Sequence, residues 1–214
     1  MYLTSDGTKS ALRKMAQFNS DLTKLYQNYG LDVMSNTGRR NALLSAVQEE
    51  FFAQELRTKY PNAKCDGKTG YPDILIPEIN VELECKLTSP TESGAISLQA
   101  DHESLNHSKD FLYVIANRDF TAFAVFLFQG LTQEDFSANI ASSRGKVKMK
   151  KSSAFSKAHV LHGSFASRKE KFLAEISHKL SADRIPPGRL RDLKKRLEYW
   201  QNADDSISVS FDPV

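Results

Sequence analysis

Two almost uninterrupted apolar runs constrain this chain most strongly: residues 111–116 (FLYVIA) and 121–128 (TAFAVFLF). A strand with one face in water alternates apolar with polar residues, whereas a strand covered on both faces is apolar throughout. The two runs therefore predict neighbouring strands inside a sheet that is covered on both sides. Residues 8–29 and 35–60 supply helices to cover it, because their apolar residues recur at helical spacing. We expect an α/β fold with a central mixed β-sheet flanked by helices.

The composition is that of a soluble globular protein. The chain has 214 residues, of which 40% are hydrophobic and 26% charged, which predicts one domain or one domain with an appendage. No apolar run approaches the ~18 residues of a membrane span, and the first residues lack the pattern of a signal peptide. Two cysteines, Cys65 and Cys85, are too few for a disulfide framework or a zinc site. These features favour a cytoplasmic protein.

Positive charge is concentrated in one part of the chain. Residues 144–200 contain 16 Lys and Arg against 5 Asp and Glu, a net +11, and all other residues contain 13 against 21, a net −8. The segment 144–201 reads as a basic strand followed by helices at 167–179 and 188–201. It suits DNA binding or dimerisation, and it is equally consistent with a solvated basic face on which strand-edge lysines deter aggregation. Its candidate phosphate contacts are Lys146, Lys148, Lys150 and Lys151.

Residues 71–87 (YPDILIPEINVELECKL) predict a β-hairpin. A short apolar strand at 74–76 precedes a turn signal at 77–80, and residues 81–87 alternate with period two. The apolar side chains of the second strand would face a core, and Glu84 and Lys86 would point to the opposite side. There they would lie beside Asp73, at the start of the partner strand.

The convergence of Asp73, Glu84 and Lys86 suits phosphodiester chemistry. Mg²⁺ prefers carboxylate oxygens and keeps waters that a phosphate can displace. The metal lowers the pKa of a bound water and neutralises charge on the phosphate. A neighbouring lysine can orient or deprotonate the attacking water and stabilise negative charge. The alternative is an exposed strand face on which Glu and Lys serve solubility.

Over about residues 38–130, this pattern resembles the PD-(D/E)xK nuclease superfamily. Pro72-Asp73 matches the PD element and Glu84-Cys85-Lys86 matches ExK, with ten residues between Asp73 and Glu84. The resemblance implies a restriction-endonuclease-like catalytic core. It further implies that Asp73, Glu84 and the backbone carbonyl of Cys85 bind Mg²⁺ and that Lys86 serves the attacking water.

The helix at 35–60 offers a further metal ligand. If Leu43, Val47 and Phe51 form its apolar stripe, Glu50 lies on the edge of that stripe and Glu49 points further out. Many members of the superfamily carry a glutamate on the helix that precedes the PD strand, so the resemblance points to Glu50 as a catalytic and metal-binding residue. Whether Glu49 or Glu50 joins the site stays open, as does an ordinary role for either glutamate.

Two weaker candidates lie on either side of the hairpin. Lys68, in the polar loop at 66–70, would stand at the mouth of the site and could reach a phosphate. Residues 96–105 predict a helix or helical turn that carries Gln99. Several nuclease branches place a catalytic glutamine on the helix that follows ExK, and Gln99 is also consistent with an ordinary surface residue.

The resemblance implies a Mg²⁺-dependent endonuclease acting on double-stranded DNA, most like a small type II restriction endonuclease. Such enzymes are usually homodimers, because two-fold symmetry matches a palindrome and provides one active site per strand. Three alternatives remain at this point. They are a structure-selective repair or junction-resolving nuclease of the same fold, a non-catalytic DNA-binding module, and an α/β protein in which the motif is accidental.

Overall fold

A six-stranded mixed sheet forms the centre of the larger of two units in the computed structural model. The structure describes residues 1–65, 71–92, 94–137, 145–182, 184–202 and 207–214. The chain divides into one unit formed by Met1–Gly163 with Phe211–Val214 and a second unit formed by Ser164–Ser210. The division falls inside the predicted basic segment 144–201, so its strand belongs to the first unit and its two helices to the second.

The helices and strands are as follows. The helices are α1 (Ser5–Asn28), α2 (Thr37–Arg57), α3 (Lys151–Phe155), α4 (Arg168–Leu180) and α5 (Pro187–Asn202). The strands are β1 (Ile74–Ile76), β2 (Val81–Thr88), β3 (Gln99–Asp101), β4 (Lys109–Ala116), β5 (Ala122–Leu131), β6 (Lys146–Lys148), β7 (Ala158–His162), β8 (Ser164–Ser167), β9 (Ile207–Ser210) and β10 (Asp212–Pro213).

Both predicted long helices are present, and each begins at a side-chain cap. The hydroxyl of Thr4 accepts a hydrogen bond from the backbone N–H of Gly7 at 3.1 Å, and the Asn36 carboxamide accepts one from Arg39 at 3.0 Å. Such caps satisfy N–H groups that have no partner within the helix. The apolar residues of α1 and α2 belong to the same buried cluster as one face of the central sheet.

The central sheet has the order β1-β2-β4-β5-β10, with β7 also paired to β5. β2 and β4 are parallel, and the other pairs are antiparallel. Buried aliphatic residues of β4 and β5 face the helices. On the other side, Phe155 of α3 packs against Phe126 and Phe128, with ring centroids 5.5 and 5.1 Å apart. The prediction of an α/β fold with a mixed sheet whose two central strands are covered on both faces is confirmed.

The predicted hairpin is confirmed, with Ile74 opposite Leu83 and Ile76 opposite Val81. Its turn is a single 3-10 turn, Pro77–Ile79, closed by Asn80. Asn80 has φ 51° and ψ 47°, a left-handed conformation that asparagine tolerates better than most residues.

The predicted helix at 96–105 is wrong in its first half. Gln99 lies on β3, which pairs with β6 in a separate two-stranded ribbon, and only His102–Leu105 forms a short 3-10 helix. The backbone carbonyl of Gln99 accepts a hydrogen bond from the Tyr113 hydroxyl at 2.8 Å. Pairing with a strand more than forty residues away therefore decides the conformation of Gln99, and local propensity does not reveal such pairing.

The second unit consists of α4, α5 and the antiparallel pair β8–β9. The rings of Phe172 and Trp200, on the two helices, stack with centroids 4.4 Å apart. In the described part of the chain, no helix is long and apolar enough to cross a membrane.

Candidate metal-binding site

The candidate site lies at the edge of β2, where its short partner strand ends. β1 pairs only with residues 81–83, so among the described residues no strand covers this edge of β2 beyond Leu83. Asp73 immediately precedes β1, and its Oδ2 accepts a hydrogen bond from the Cys85 backbone N–H at 2.7 Å. Because the N–H and C=O of one strand residue point to the same side, the Cys85 carbonyl also faces this open edge.

Glu84 and Lys86 form an ion pair on the sheet face that points away from α1 and α2. The Lys86 Nζ lies 2.6 Å from Glu84 Oε1 and 3.8 Å from Asp101 Oδ2. Glu84 as a residue is only 8% exposed. The alternative interpretation, an exposed strand face with charges for solubility, is therefore wrong for these two residues. A buried carboxylate and a buried ammonium are costly to desolvate unless they serve each other or a ligand.

The structure brings Glu49 to this group and not Glu50. Glu50 points away, where it pairs with Arg57 at 2.9 Å and accepts a hydrogen bond from Gln54 at 3.1 Å. Glu49 and Asp73 line the same clefts. Glu49 Oε2 also accepts a hydrogen bond from the Cys65 thiol at 3.7 Å.

The helical-wheel prediction was wrong because the buried row of α2 is not wholly apolar. One row of buried residues recurs every four positions and includes two polar side chains, and Ala53 is buried beside it: the row is Arg40, Leu44, Gln48, Phe52 and Leu56. Leu43, which the prediction placed in the apolar stripe, is 46% exposed. Moving the buried face by one residue turns Glu50 outward and Glu49 toward the site.

Crowded carboxylates give the site its electrostatic character. Burial, followed by the charge of Asp73, raises the pKa of Glu49 from 4.5 to about 7. Burial and the charge of Glu84 likewise raise the pKa of Asp73. Burial by itself would lower the pKa of Lys86, but Glu84, Asp73 and Asp101 raise it. The lysine is therefore charged at neutral pH, and repulsion between neighbouring carboxylates contributes to the raised pKa of both Glu49 and Asp73.

The oxygen donors of the site are of the kind that Mg²⁺ takes. Among the described residues, no three His, Cys, Asp or Glu side chains are arranged to hold a metal ion. Mg²⁺ binds through one or two carboxylates and retains several waters, which matches Asp73, Glu84 and the Cys85 carbonyl. The Cys85 thiol is not part of this set, because it points into the core beneath the helices.

Two clefts meet at Glu49, Asp73 and Lys86. The larger, which we call the acidic cleft, has a volume of about 880 Å³ and is lined among the described residues by six carboxylates and two lysines. The smaller, which we call the α2 groove, has a volume of about 450 Å³ and runs between α2 and the end of β2. Its described lining beyond the shared residues is small or uncharged, with Thr37, Gly38, Asn41, Ala42, Ser45 and Ser89 among its members.

The remaining predicted residues that the structure describes do not converge on the site. Gln99 is among the lining residues of neither cleft, and Lys68 lies outside the described residues. The Lys146 Nζ lies 3.0 Å from Asp101 Oδ1. Asp101 also lies near Lys86, so Lys146 is linked to the site through this aspartate. Lys148 is exposed on β6. Lys150 and Lys151 donate to the carbonyls of Glu134 and Ile96, each at 3.0 Å.

Asp101 was not predicted from the sequence, and the helical wheel favoured Glu50 over Glu49 while leaving the choice between them open. Asp101 had no recognisable motif, because its role depends on the pairing of β3 with β6. Glu49 was detectable from the polar residues spaced by four that precede it on α2: Thr37, Asn41 and Ser45. These residues line the α2 groove together with Glu49.

Comparison with known proteins adds no assignment. No protein-family model matches the chain, and no curated protein matches it significantly. The proposals below therefore depend on the geometry of the chain itself.

The adjacent residues Glu49 and Glu50 provide a matched test of this geometry. Without Mg²⁺, the raised pKa of Glu49 means that the folded state binds its proton more tightly than the unfolded state. The contribution of Glu49 to the free energy of unfolding therefore falls as pH rises from about 4.5 to about 7. We expect Glu49→Gln to unfold at the wild-type temperature at pH 4 and at a higher temperature at pH 8, measured by thermal unfolding in EDTA. Glu50→Gln should not be stabilised at pH 8, because it loses an ion pair with Arg57. Equal behaviour of the two variants would contradict the placement of Glu49.

Proposed function

We propose that this protein is a Mg²⁺-dependent endonuclease that hydrolyses phosphodiester bonds of double-stranded DNA, as a type II restriction endonuclease does. The observation that carries the proposal is the meeting of Asp73, Glu84 and Lys86 at the uncovered edge of β2. Asp73 is fixed there by the Cys85 N–H, and Lys86 by its 2.6 Å contact with Glu84. Glu84 is buried, and Asp73 and Lys86 are half-buried beside it, an arrangement that a role in solubility alone does not require.

Asp73, Glu84 and the Cys85 carbonyl would hold Mg²⁺, and Glu49 would contribute from α2. When bound, the ion lowers the pKa of a coordinated water and neutralises charge on the phosphate. Lys86 acts as a fixed positive charge and hydrogen-bond donor, because the surrounding carboxylates raise its pKa and keep Nζ protonated. It is therefore placed to orient the attacking water or to stabilise the phosphoryl oxygens. Glu50 and Gln99 have no role in this arrangement.

Two further parts of the proposal follow from charge and symmetry. The excess of basic residues at 144–200 favours a polyanionic substrate, and within the first unit it includes the exposed Lys148. Cleavage of both strands of a duplex requires two active sites or two encounters. We therefore propose a homodimer that presents one site to each strand.

Cleavage of duplex DNA tests this function directly. Purified protein would be incubated with long duplex DNA of mixed sequence, with Mg²⁺ and in parallel with EDTA, and the products separated on a gel. We expect discrete fragments only with Mg²⁺, and the same fragments from Glu50→Gln. Cleavage of branched DNA without cleavage of the duplex would point to a structure-selective nuclease. Binding without cleavage of either would point to a non-catalytic DNA-binding module.

A further inference from the structure

A buried cation, Arg40, stands behind the wall of the α2 groove. Arg40 is fully buried, and among the described residues no carboxylate lies within the 4.0 Å of an ion pair, although Asp119 attracts it from further away. Its guanidinium donates hydrogen bonds to the Arg118 carbonyl and to Ser89 Oγ, the latter at 3.0 Å. A buried charge normally has a counter-charge in contact with it, so this side of the groove carries a positive charge that no carboxylate among the described residues touches.

Ser89 carries the effect of this charge to the groove surface. Its Oγ accepts hydrogen bonds from the Arg40 guanidinium at 3.0 Å and from the Asn41 carboxamide N–H at 3.2 Å. A hydroxyl has two acceptor positions and one proton to donate, so both acceptor positions are in use. Among the described residues no acceptor receives the Ser89 proton, and Ser89 lines the α2 groove. The hydroxyl therefore offers the groove a donor that is polarised by the guanidinium and suited to an anion.

The two clefts differ sharply in their attraction for a polyanion. Beyond the shared residues and the proposed metal ligand Glu84, the acidic cleft is lined by three carboxylates, Glu82, Asp101 and Glu103, against Lys109 and His107. The described lining of the α2 groove contains no carboxylate beyond Glu49 and Asp73, which lie where the metal would neutralise them. A phosphodiester chain that approaches the metal site is therefore repelled by one cleft and accepted by the other.

We propose that the sugar-phosphate backbone of the strand to be cut lies in the α2 groove, where Ser89 and Asn41 hold a phosphate that neighbours the reacting one. Ser89 lies three residues beyond Lys86 along the strand direction, roughly 10 Å away, which leaves the reacting phosphate at the metal. Arg40 is a positioning residue in this arrangement, since it acts through Ser89. The inference rests on the proposed function in taking a polynucleotide as the substrate.

Charge substitutions at two exposed positions, one in each cleft, test the proposal. Ala42 lines the α2 groove and Asn106 lines the acidic cleft, and both are exposed. Binding of a short fluorescent duplex would be measured by anisotropy with Mg²⁺, in a Lys86→Met background that prevents cleavage. Ala42→Glu should raise Kd about tenfold. Ala42→Lys should lower Kd. It should also make the slope of the logarithm of the association constant against the logarithm of the salt concentration steeper by about one. Asn106→Glu and Asn106→Lys should each change Kd less than about twofold.

Substitution of Ser89 gives an independent measurement. Ser89→Ala should raise Kd about threefold to tenfold, and Ser89→Thr, which keeps the hydroxyl, should restore binding, with thermal unfolding reporting that each variant is folded. The proposal is overturned if Ala42→Glu and Asn106→Glu weaken binding equally, if neither affects it, or if DNA is not bound. Cleavage by the wild type is scored separately. If Ala42 variants change DNA binding and Asn106 variants do not, but the wild type does not cleave, the nuclease proposal is refuted and the placement of DNA in the α2 groove stands. If the wild type cleaves DNA but the two positions behave alike, the placement in the groove is refuted and the nuclease proposal stands.

Discussion

Asp73→Asn should abolish Mg²⁺-dependent cleavage while making the metal-free protein more stable. Loss of one metal-binding carboxylate should reduce the cleavage rate by at least about 10³-fold, equivalent to about 4 kcal/mol. The asparagine retains an oxygen that can accept the hydrogen bond of the Cys85 N–H, so the hairpin keeps its geometry. Burial and the charge of Glu84 raise the pKa of Asp73, which means that its charge destabilises the folded state at neutral pH.

The opposite signs of these two effects distinguish a metal ligand from a structural aspartate. Single-turnover cleavage with saturating Mg²⁺ measures the first effect, and thermal unfolding in EDTA at pH 8 measures the second. Glu78→Gln is the matched control, because it removes an exposed carboxylate from the same hairpin. The Glu78 carboxylate accepts a hydrogen bond from the Asn62 backbone N–H at 2.8 Å. We expect this control to cleave at the wild-type rate. A destabilised Asp73→Asn that still cleaves would show that Asp73 serves only the fold.

Lys86→Met should abolish cleavage and make Mg²⁺ a stronger stabiliser of the protein. The substitution leaves Glu84, whose side chain is 10% exposed, without its counter-charge. Breaking a pair of this intermediate burial costs about 2 kcal/mol, which lowers the unfolding temperature by about 4–8 °C for a chain of this size. Mg²⁺ can supply the missing positive charge, so it should recover most of that loss and bind more tightly than in the wild type.

Thermal unfolding across a Mg²⁺ titration measures this coupling, and cleavage assays on the same samples measure the loss of activity. Lys86→Arg should keep the metal-free stability, because it keeps the charge, and should recover cleavage only in part, since the guanidinium is planar and larger. Lys64→Met removes an exposed lysine on the far side of β1 and should leave both measurements unchanged. If Mg²⁺ stabilises Lys86→Met no more than the wild type, Glu84 is not a metal ligand.

The sequence was most informative where burial follows a simple period. The strands at 111–116 and 121–128 and the hairpin around Asp73 were predictable, because continuous and alternating apolar patterns report directly which faces are covered. In α2, the same reasoning favoured Glu50, whereas Glu49 lines the clefts beside Asp73. Arg40 and Gln48 are both fully buried, so the row of apolar residues did not coincide with the row of buried ones.

Long-range pairing was beyond the reach of local patterns. The β3–β6 ribbon places Asp101 beside Lys86 and Gln99 away from it, and no property of residues 96–105 indicates a partner at 146–148. The sequence alone is equally consistent with Lys146 and Asp101 facing solvent and with the two residues forming an ion pair. The sequence therefore predicted the core of the candidate site, and only the fold revealed its surroundings.

The left-handed Asn80 makes the far end of the hairpin intolerant of insertions and deletions. Side chains alternate between the two faces of a strand, so adding or removing one residue in the turn at 77–80 would exchange the faces of β2 relative to β1. Glu84 and Lys86 would then enter the core beneath the helices, and Cys85 would take their place. The number of residues in this surface turn thus determines whether Glu84 and Lys86 lie on the same side of the hairpin as they do here.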